Sequence, residues 1–106
     1  MCGIAGIISL GKDISPADIA AGNSMTKILK HRGPDDLGIF HDNKCFLGNT
    51  RLKIIDLSNH GHLPMSNQNE SIYIAYNGEV TNFLELKKEF KLEKKYQFRS
   101  TSDTEV

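Results

Sequence analysis

Apolar and polar positions fall into short blocks along this chain, and the period of the blocks changes several times. Ile4-Ala5-Gly6-Ile7-Ile8 is apolar throughout and bounded by glycines, and its length and β-branched content predict a buried strand. Lys12-Asp13 and Ser15-Pro16 break it. Ser15 offers a helix cap, Pro16 suits the first helical position, and Asp18 adds an acid to the first turn. Ile19, Gly22, Met25, Ile28 and Leu29 then recur at three- to four-residue steps, which predicts a helix over 16–30. Gly22-Asn23 lowers its intrinsic stability, whereas Lys27 and Lys30 suit its C-terminal end.

Gly33-Pro34, within His31-Arg32-Gly33-Pro34-Asp35-Asp36, forces the helix to stop. Leu37 to His41 and Lys44 to Asn49 read as two short strands joined by a tight turn at Asp42-Asn43. Arg51 to Leu57 has enough β-branched residues for partly extended backbone, and Ser58 to Asn69 is a loop rich in Asn, His, Gly, Pro and Ser. Ser71 to Tyr76 is the clearest strand and runs straight into Asn77-Gly78. Asn82 offers a cap, and Phe83, Leu86 and Phe90 share one face of a helix over 83–91. Tyr96 to Arg99 reads as a short strand. Ser102-Asp103-Thr104-Glu105 has the pattern of a helix start with a capping box. Domains seldom end on a first helical turn, so the chain reads as the N-terminal part of a larger domain.

Composition narrows the class. Hydrophobic residues are 39% and charged residues 25% of the 106, as in ordinary globular material. Thirteen basic residues balance thirteen acidic ones, which argues against a nucleic-acid partner held by phosphate neutralisation. The apolar run Gly3 to Leu10 is too short to span a membrane and lacks the basic flank of a signal peptide. Two cysteines, Cys2 and Cys45, make no disulfide scaffold, and a reducing cytoplasm is the expected setting. The four histidines do not repeat at a ligand spacing; His60-x-His62 suits a loop better than a metal, and no metal site is expected.

Cys2 changes the picture. A small second residue permits removal of the initiator methionine, which would leave a thiol and a free α-amine on one residue. Their ordinary pKa values lie near ~8.5 and roughly 7.7–8.0, close enough to exchange a proton at neutral pH. The amine can then activate its own thiol, and no histidine base is needed. The plain alternative is a small buried side chain at the start of a strand. Cys45, among Phe46 and Leu47, is expected to be packing.

Several patterns together resemble the glutamine amidotransferase domain of the N-terminal-nucleophile type, and most closely that of glutamine-hydrolysing asparagine synthetases. They are Met1-Cys2-Gly3-Ile4-Ala5-Gly6, the His31 to Asp36 motif with Gly38, Arg51-Leu52-Lys53-Ile54-Ile55-Asp56, Pro64-Met65, Tyr76-Asn77-Gly78-Glu79 with Asn82, and Ser102 to Val106. They stand in the family's order and cover the whole chain.

The resemblance implies an α+β fold, a four-layer αββα sandwich with antiparallel sheets, of which this chain is the N-terminal part. It implies hydrolysis of the glutamine side-chain amide by Cys2 through a glutamyl thioester. Asn77 and the backbone of Gly78 would hold the oxyanion, Arg51 the α-carboxylate, and Asp103 with the Glu79 region the α-ammonium. Leu52, Lys53, Ile54 and Ile55 resemble the rest of the substrate-contacting strand, although Lys53, as the intervening polar position, is expected to face solvent. Each assignment has a plainer rival: Asn-Gly after a strand is a strong hairpin signal, a single arginine is usually solvated, and Asp103 can serve a helix start. His31 to Asp36 is read as architecture.

Many relatives carry His, Gln and Tyr where this chain has Asn49, Leu63 and Thr81, and the first two fall near the expected pocket wall. Ammonia would pass to a synthetase domain in the same full-length chain, which alone would use ATP and magnesium to make an aspartyl-adenylate; no cofactor is expected in this segment. A homodimer is left open. Two rival readings stand beside this one: an amidotransferase of sugar-phosphate or purine synthesis, and a non-catalytic module that keeps the fold.

Overall fold

Three antiparallel strands and one helix organise the computed structural model, which describes residues 1–106. Strand β1 (Gly3–Ile8) leads to helix α1 (Pro16–Ile28), and strands β2 (Asp36–His41) and β3 (Cys45–Arg51) follow. The sheet order is β1-β3-β2, so β3 is central and pairs with a neighbour on both sides. The expected class, α+β with antiparallel sheets, is what forms. Directly opposed residues share a face of a sheet. Ala5 and Ile39 therefore lie beside Gly48 on one face, whereas Ile4 and Gly38 lie beside Asn49 on the other.

Helix α1 covers the first face. Its start is as expected: Ser15 Oγ accepts from Asp18 N–H, and Asp18 accepts from Ser15 N–H at 2.7 Å. These bonds, that from the Ser15 hydroxyl foremost, hold the Asp18 carboxyl below its usual range. The helix ends at Ile28 and tightens into a 3-10 turn over Leu29–His31. The buried stripe differs from the apolar periodicity, because Gly22 and Thr26 face inward while Ile28 stays exposed. A Cβ on Gly22 would come within 2.6 Å of the Phe46 ring, and one on Gly48 would collide with Thr26. The helix thus lies too close to the sheet for larger side chains. The Thr26 hydroxyl, fully buried, donates to Gly22 O at 2.8 Å. Gly22, costly for the isolated helix, is what lets Phe46 be buried completely.

The second face is covered only in part. Strands β4 (Met65–Ser66) and β5 (Tyr73–Ile74) pair in a two-stranded sheet, and Tyr73 stacks on Phe40 of β2 with ring centroids 3.6 Å apart. Ile4 and Ile8 remain exposed, which corrects the expectation of a strand buried throughout. Helices α2 (Phe83–Glu89) and α3 (Leu92–Lys95) are separated by Lys91 in the left-handed region (φ 52°), and α3 was not foreseen. Asn82 precedes α2 but its side chain makes no cap bond. Only Ala5, Phe46, Leu63 and Met65 form the buried apolar core.

Three expected stretches of extended backbone stop short, each because a side chain takes the hydrogen bonds a ladder would use. The strand expected over 71–76 reduces to Tyr73–Ile74. Asn67 Oδ1 takes the Ser71 and Ile72 N–H groups at one end, and Asn49 Oδ1 takes the Tyr76 N–H at the other. Beyond Arg51 the chain leaves the sheet, with Leu52 N–H on the Cys2 sulfur and Lys53 N–H on Asp35 Oδ2. No strand forms over 96–99, where Glu105 takes the N–H groups of Arg99 and the following Ser100. The capping box expected at Ser102 is replaced by a 3-10 turn, Asp103–Glu105, with Ser102 Oγ accepting from Thr104 N–H.

Candidate active site

The start of β1, the end of β3, the stretch after β5 and the last 3-10 turn meet around a cavity of about 310 Å³. Register brings them together. Gly3 opposes Thr50, so Cys2 stands beside the point where the chain leaves β3. Gly3 N–H donates to Thr50 Oγ1 at 3.2 Å, Leu52 N–H to Cys2 Sγ at 3.4 Å, and Arg32 Nε to Cys2 O at 3.3 Å. Three bonds on two successive residues thus fix the half-buried sulfur at the cavity wall. Met1 lines the same wall and is exposed. Cys45 opposes Ile8 at the far end of β1, roughly 20 Å along a strand rising ~3.4 Å per residue. Burial, with the Asp42 charge, pushes the Cys45 thiol up, which disfavours its thiolate. Both cysteines are free.

Arg51 is not the solvated surface charge of the plainer reading. It is 5% exposed and donates from Nη1 to Ser58 O at 3.0 Å and from Nη2 to Asp56 O. Two of its five N–H donors are spent in these bonds. Leu52, Ile54 and Ile55 line the cavity with it. Lys53 does not: it is absent from the lining, and its ammonium donates to Asn59 Oδ1 at 3.1 Å. The Lys53 side chain thus turns away from the cavity, as expected for the intervening polar position.

Asn77, Gly78 and Glu79 also line the cavity and are exposed. The hairpin alternative is overturned for this pair. A type I′ turn needs positive φ at both central residues, yet no glycine has it, and only Glu70 and Lys91 do among the rest. The Asn77-Gly78 stretch is instead held from behind. Asn49, fully buried, accepts the Tyr76 N–H at 3.1 Å and donates to Thr50 O at 3.2 Å.

Asp103 lies across the cavity, 6% exposed, and its Oδ2 accepts the Val80 N–H at 2.7 Å. Its Oδ1 makes no bond within the chain and is not sealed off. The turn that carries it is tied by Glu105. Burial pushes that carboxyl up, but bonds from Ser100 and Arg99 outweigh it and hold the group below its usual range.

Residue-type reasoning missed three supports. Arg32 and Asp35, read only as turn architecture, hold the Cys2 carbonyl and the exit from β3 directly. Asp56, buried, takes bonds from Ser58 and from Thr101, a residue far along the chain. The motifs containing them were visible; the distances in space were not. No three His, Cys, Asp or Glu side chains gather as a metal site. No helix is long and apolar enough to cross a membrane.

One cavity thus joins Cys2, a buried arginine, an Asn-Gly pair and a buried aspartate. The chain belongs to the glutamine amidotransferase domain family, whose profile matches residues 1–106. It is 44% identical over its whole length to a putative glutamine-hydrolysing asparagine synthetase 2 of Methanocaldococcus jannaschii, covering 23% of that protein. It is 40% identical to asparagine synthetase [glutamine-hydrolyzing] 1 of Bacillus subtilis and 36% to that of Lotus japonicus, covering 17% of each. The chain therefore spans about a fifth of the length of these curated relatives.

Proposed function

We propose that this chain hydrolyses the side-chain amide of glutamine and supplies the ammonia to a synthetase domain elsewhere in a longer chain. The observation that carries the reading is the convergence of Cys2, Arg51, Asn77, Gly78 and Asp103 on one cavity. Removal of Met1 would free the Cys2 α-amine and clear the cavity wall that Met1 occupies. The amine takes the thiol proton, and the thiolate attacks the amide carbon. Asn77 Nδ2 and the Gly78 N–H receive the oxyanion; one such donor is worth about 2.7–4 kcal/mol in the chemical step. Collapse breaks the C–N bond as the protonated amine gives its proton to the departing ammonia. Water then attacks the thioester, glutamate leaves, and the thiol is restored. Arg51 takes the α-carboxylate with donors left over from Asp56 and Ser58, and Asp103, with Glu79 beside it, takes the α-ammonium. Leu52, Ile54 and Ile55 form the wall between.

In the longer protein, on this reading, ammonia meets an aspartyl-adenylate and asparagine is the product. ATP and magnesium belong to that other domain, and no step in this cavity uses them. The names of the relatives support asparagine over sugar-phosphate or purine products. The bare second face of the sheet, with Ile4 and Ile8 exposed, suits cover by a second sheet in a four-layer αββα sandwich. A cytoplasmic setting fits two free cysteines.

The full-length protein tests this. Its intact mass should lack Met1, and 6-diazo-5-oxo-L-norleucine, a glutamine-like electrophile, should label Cys2. Cys2→Ala should abolish glutamine-dependent synthesis and leave ammonia-dependent synthesis measurable. Retention of Met1, or label on Cys45, would overturn the reading.

A further inference from the structure

Asp56 is a charged side chain, 5% exposed, for which the hydrolysis above has no chemical use. Its Oδ1 accepts from Ser58 N–H at 2.8 Å and Ser58 Oγ at 2.6 Å, closing the turn over residues 56–58. The carbonyls of Asp56 and Ser58, at the two ends of that turn, are the acceptors of the Arg51 guanidinium. Its Oδ2 accepts from Thr101 N–H at 2.8 Å, across 45 positions of sequence. Thr101 opens the turn that carries Asp103. That turn is itself stiff, with Ser102 N–H on Ser100 Oγ at 3.2 Å and Ser100 Oγ on Glu105 at 2.6 Å. One carboxylate therefore bonds both segments that supply the charged arms of the cavity. No other side chain of the chain joins these two segments by a hydrogen bond.

We infer that Asp56 is a positioning residue that sets the separation between Arg51 and Asp103, and so the length of amino acid whose amide reaches Cys2. The inference deepens the glutaminase reading and rests on it. A substrate with both an α-carboxylate and an α-ammonium is gripped at two points, and the distance from grip to sulfur decides which amide is in line. Glutamine and asparagine differ by one methylene, so discrimination needs those two points held rigidly. Asp56 supplies that rigidity with three accepted bonds. Bonds from Ser58 and from Thr101 keep its carboxyl ionised well below the usual carboxylate range, so the clamp stays closed at every pH at which the thiol can react.

The test compares electrophiles on the full-length protein with Asp56→Asn, which keeps the size but turns one acceptor into a donor facing Ser58 or Thr101. Labelling of Cys2 by 6-diazo-5-oxo-L-norleucine should slow by about tenfold to a hundredfold, the scale of an ångström-level misplacement. Labelling by iodoacetamide, which carries neither charged arm, should change by less than about twofold. Preference for the norleucine reagent over its shorter homologue 5-diazo-4-oxo-L-norvaline should fall as well. Equal slowing of all three reagents, or slowing of none, overturns the inference. Should Asp56→Asn fail to fold, Ser58→Ala removes the hydroxyl bond to Asp56 together with the cap on His60 N–H, and must give the same ordering at about threefold, within the ordinary range for a hydrogen bond. Failure of the unaltered Cys2 to react with the norleucine reagent instead overturns the glutaminase reading and this inference with it.

Discussion

Replacing Asn49 by alanine separates the chemical step from substrate binding. The side chain is fully buried, and its Oδ1 takes the N–H of Tyr76, the residue directly before Asn77-Gly78. Truncation leaves that half-buried N–H without a partner, at a cost of about 1–3 kcal/mol. The chain relieves the cost by moving Tyr76 toward water, and Asn77 and Gly78 move with it. Neither proposed oxyanion donor, Asn77 nor Gly78, is deleted, so the loss should stay below the about 2.7–4 kcal/mol of a removed donor. A kcat for glutamine hydrolysis lowered about tenfold to a hundredfold is expected, or about 1.4–2.7 kcal/mol. KM should move little, because Arg51 and Asp103 make no bond with Asn49. Steady-state glutamate release from the full-length protein measures both constants, with ammonia-dependent synthesis as the control for folding. Asn49→His, which restores an acceptor, should recover most of the rate. A raised KM with kcat intact, or a loss below twofold, would refute the coupling of Asn49 to the oxyanion stretch.

Gly22→Ala sets a helix-propensity gain of about 0.8–1.0 kcal/mol against a Cβ 2.6 Å from the Phe46 ring. Overpacking costs about 1–3 kcal/mol, so a lower urea midpoint is expected, and Phe46→Leu in the same chain should relieve part of it. Asp56 titrates well below the unfolded carboxylate value of about 3.9, so its contribution is present above that pH and is lost as the pH falls further. The stability gap between the natural chain and Asp56→Asn should therefore be constant from pH 5 to 7, by order of magnitude, and should close in acid; a gap that closes near neutrality would contradict the bonding described. With four apolar side chains in its core and Ile4, Ile8 and Leu10 exposed, the 106-residue chain alone should bind a hydrophobic dye and melt broadly. A sharp cooperative melt without dye binding would contradict that.

Legibility of the fold follows the range of the forces involved. Helix α1, its Ser15 cap and the pair β2–β3 were readable because neighbours in sequence decide them. The strands over 71–76 and 96–99 were overcalled because Asn49 and Glu105 take their N–H groups from outside the segment. The buried stripe of α1 was read only in part for a similar reason: Gly22 belongs to the periodic face, but Thr26 also turns inward to meet Gly48, and hydrophobicity carries no trace of that fit. In the cavity, Cys2 was legible from its own chemistry, whereas Arg51, Asn77, Gly78 and Asp103 were legible only through the family resemblance. Arg32, Asp35 and Asp56 escaped because their roles lie in which distant backbone they hold.

The six-residue pairing of β1 with β3 has a consequence for how this chain can change. The Cys2 sulfur has no loop of its own to adjust its place; its address is counted off along a ladder, one rung from Gly3. A residue inserted between Cys2 and Gly3 would shift the sulfur by about 3.4 Å and reverse its side, and no later compensation in the strand could return it. Along β1, therefore, the count of residues constrains the chain as firmly as the identity of Cys2 does.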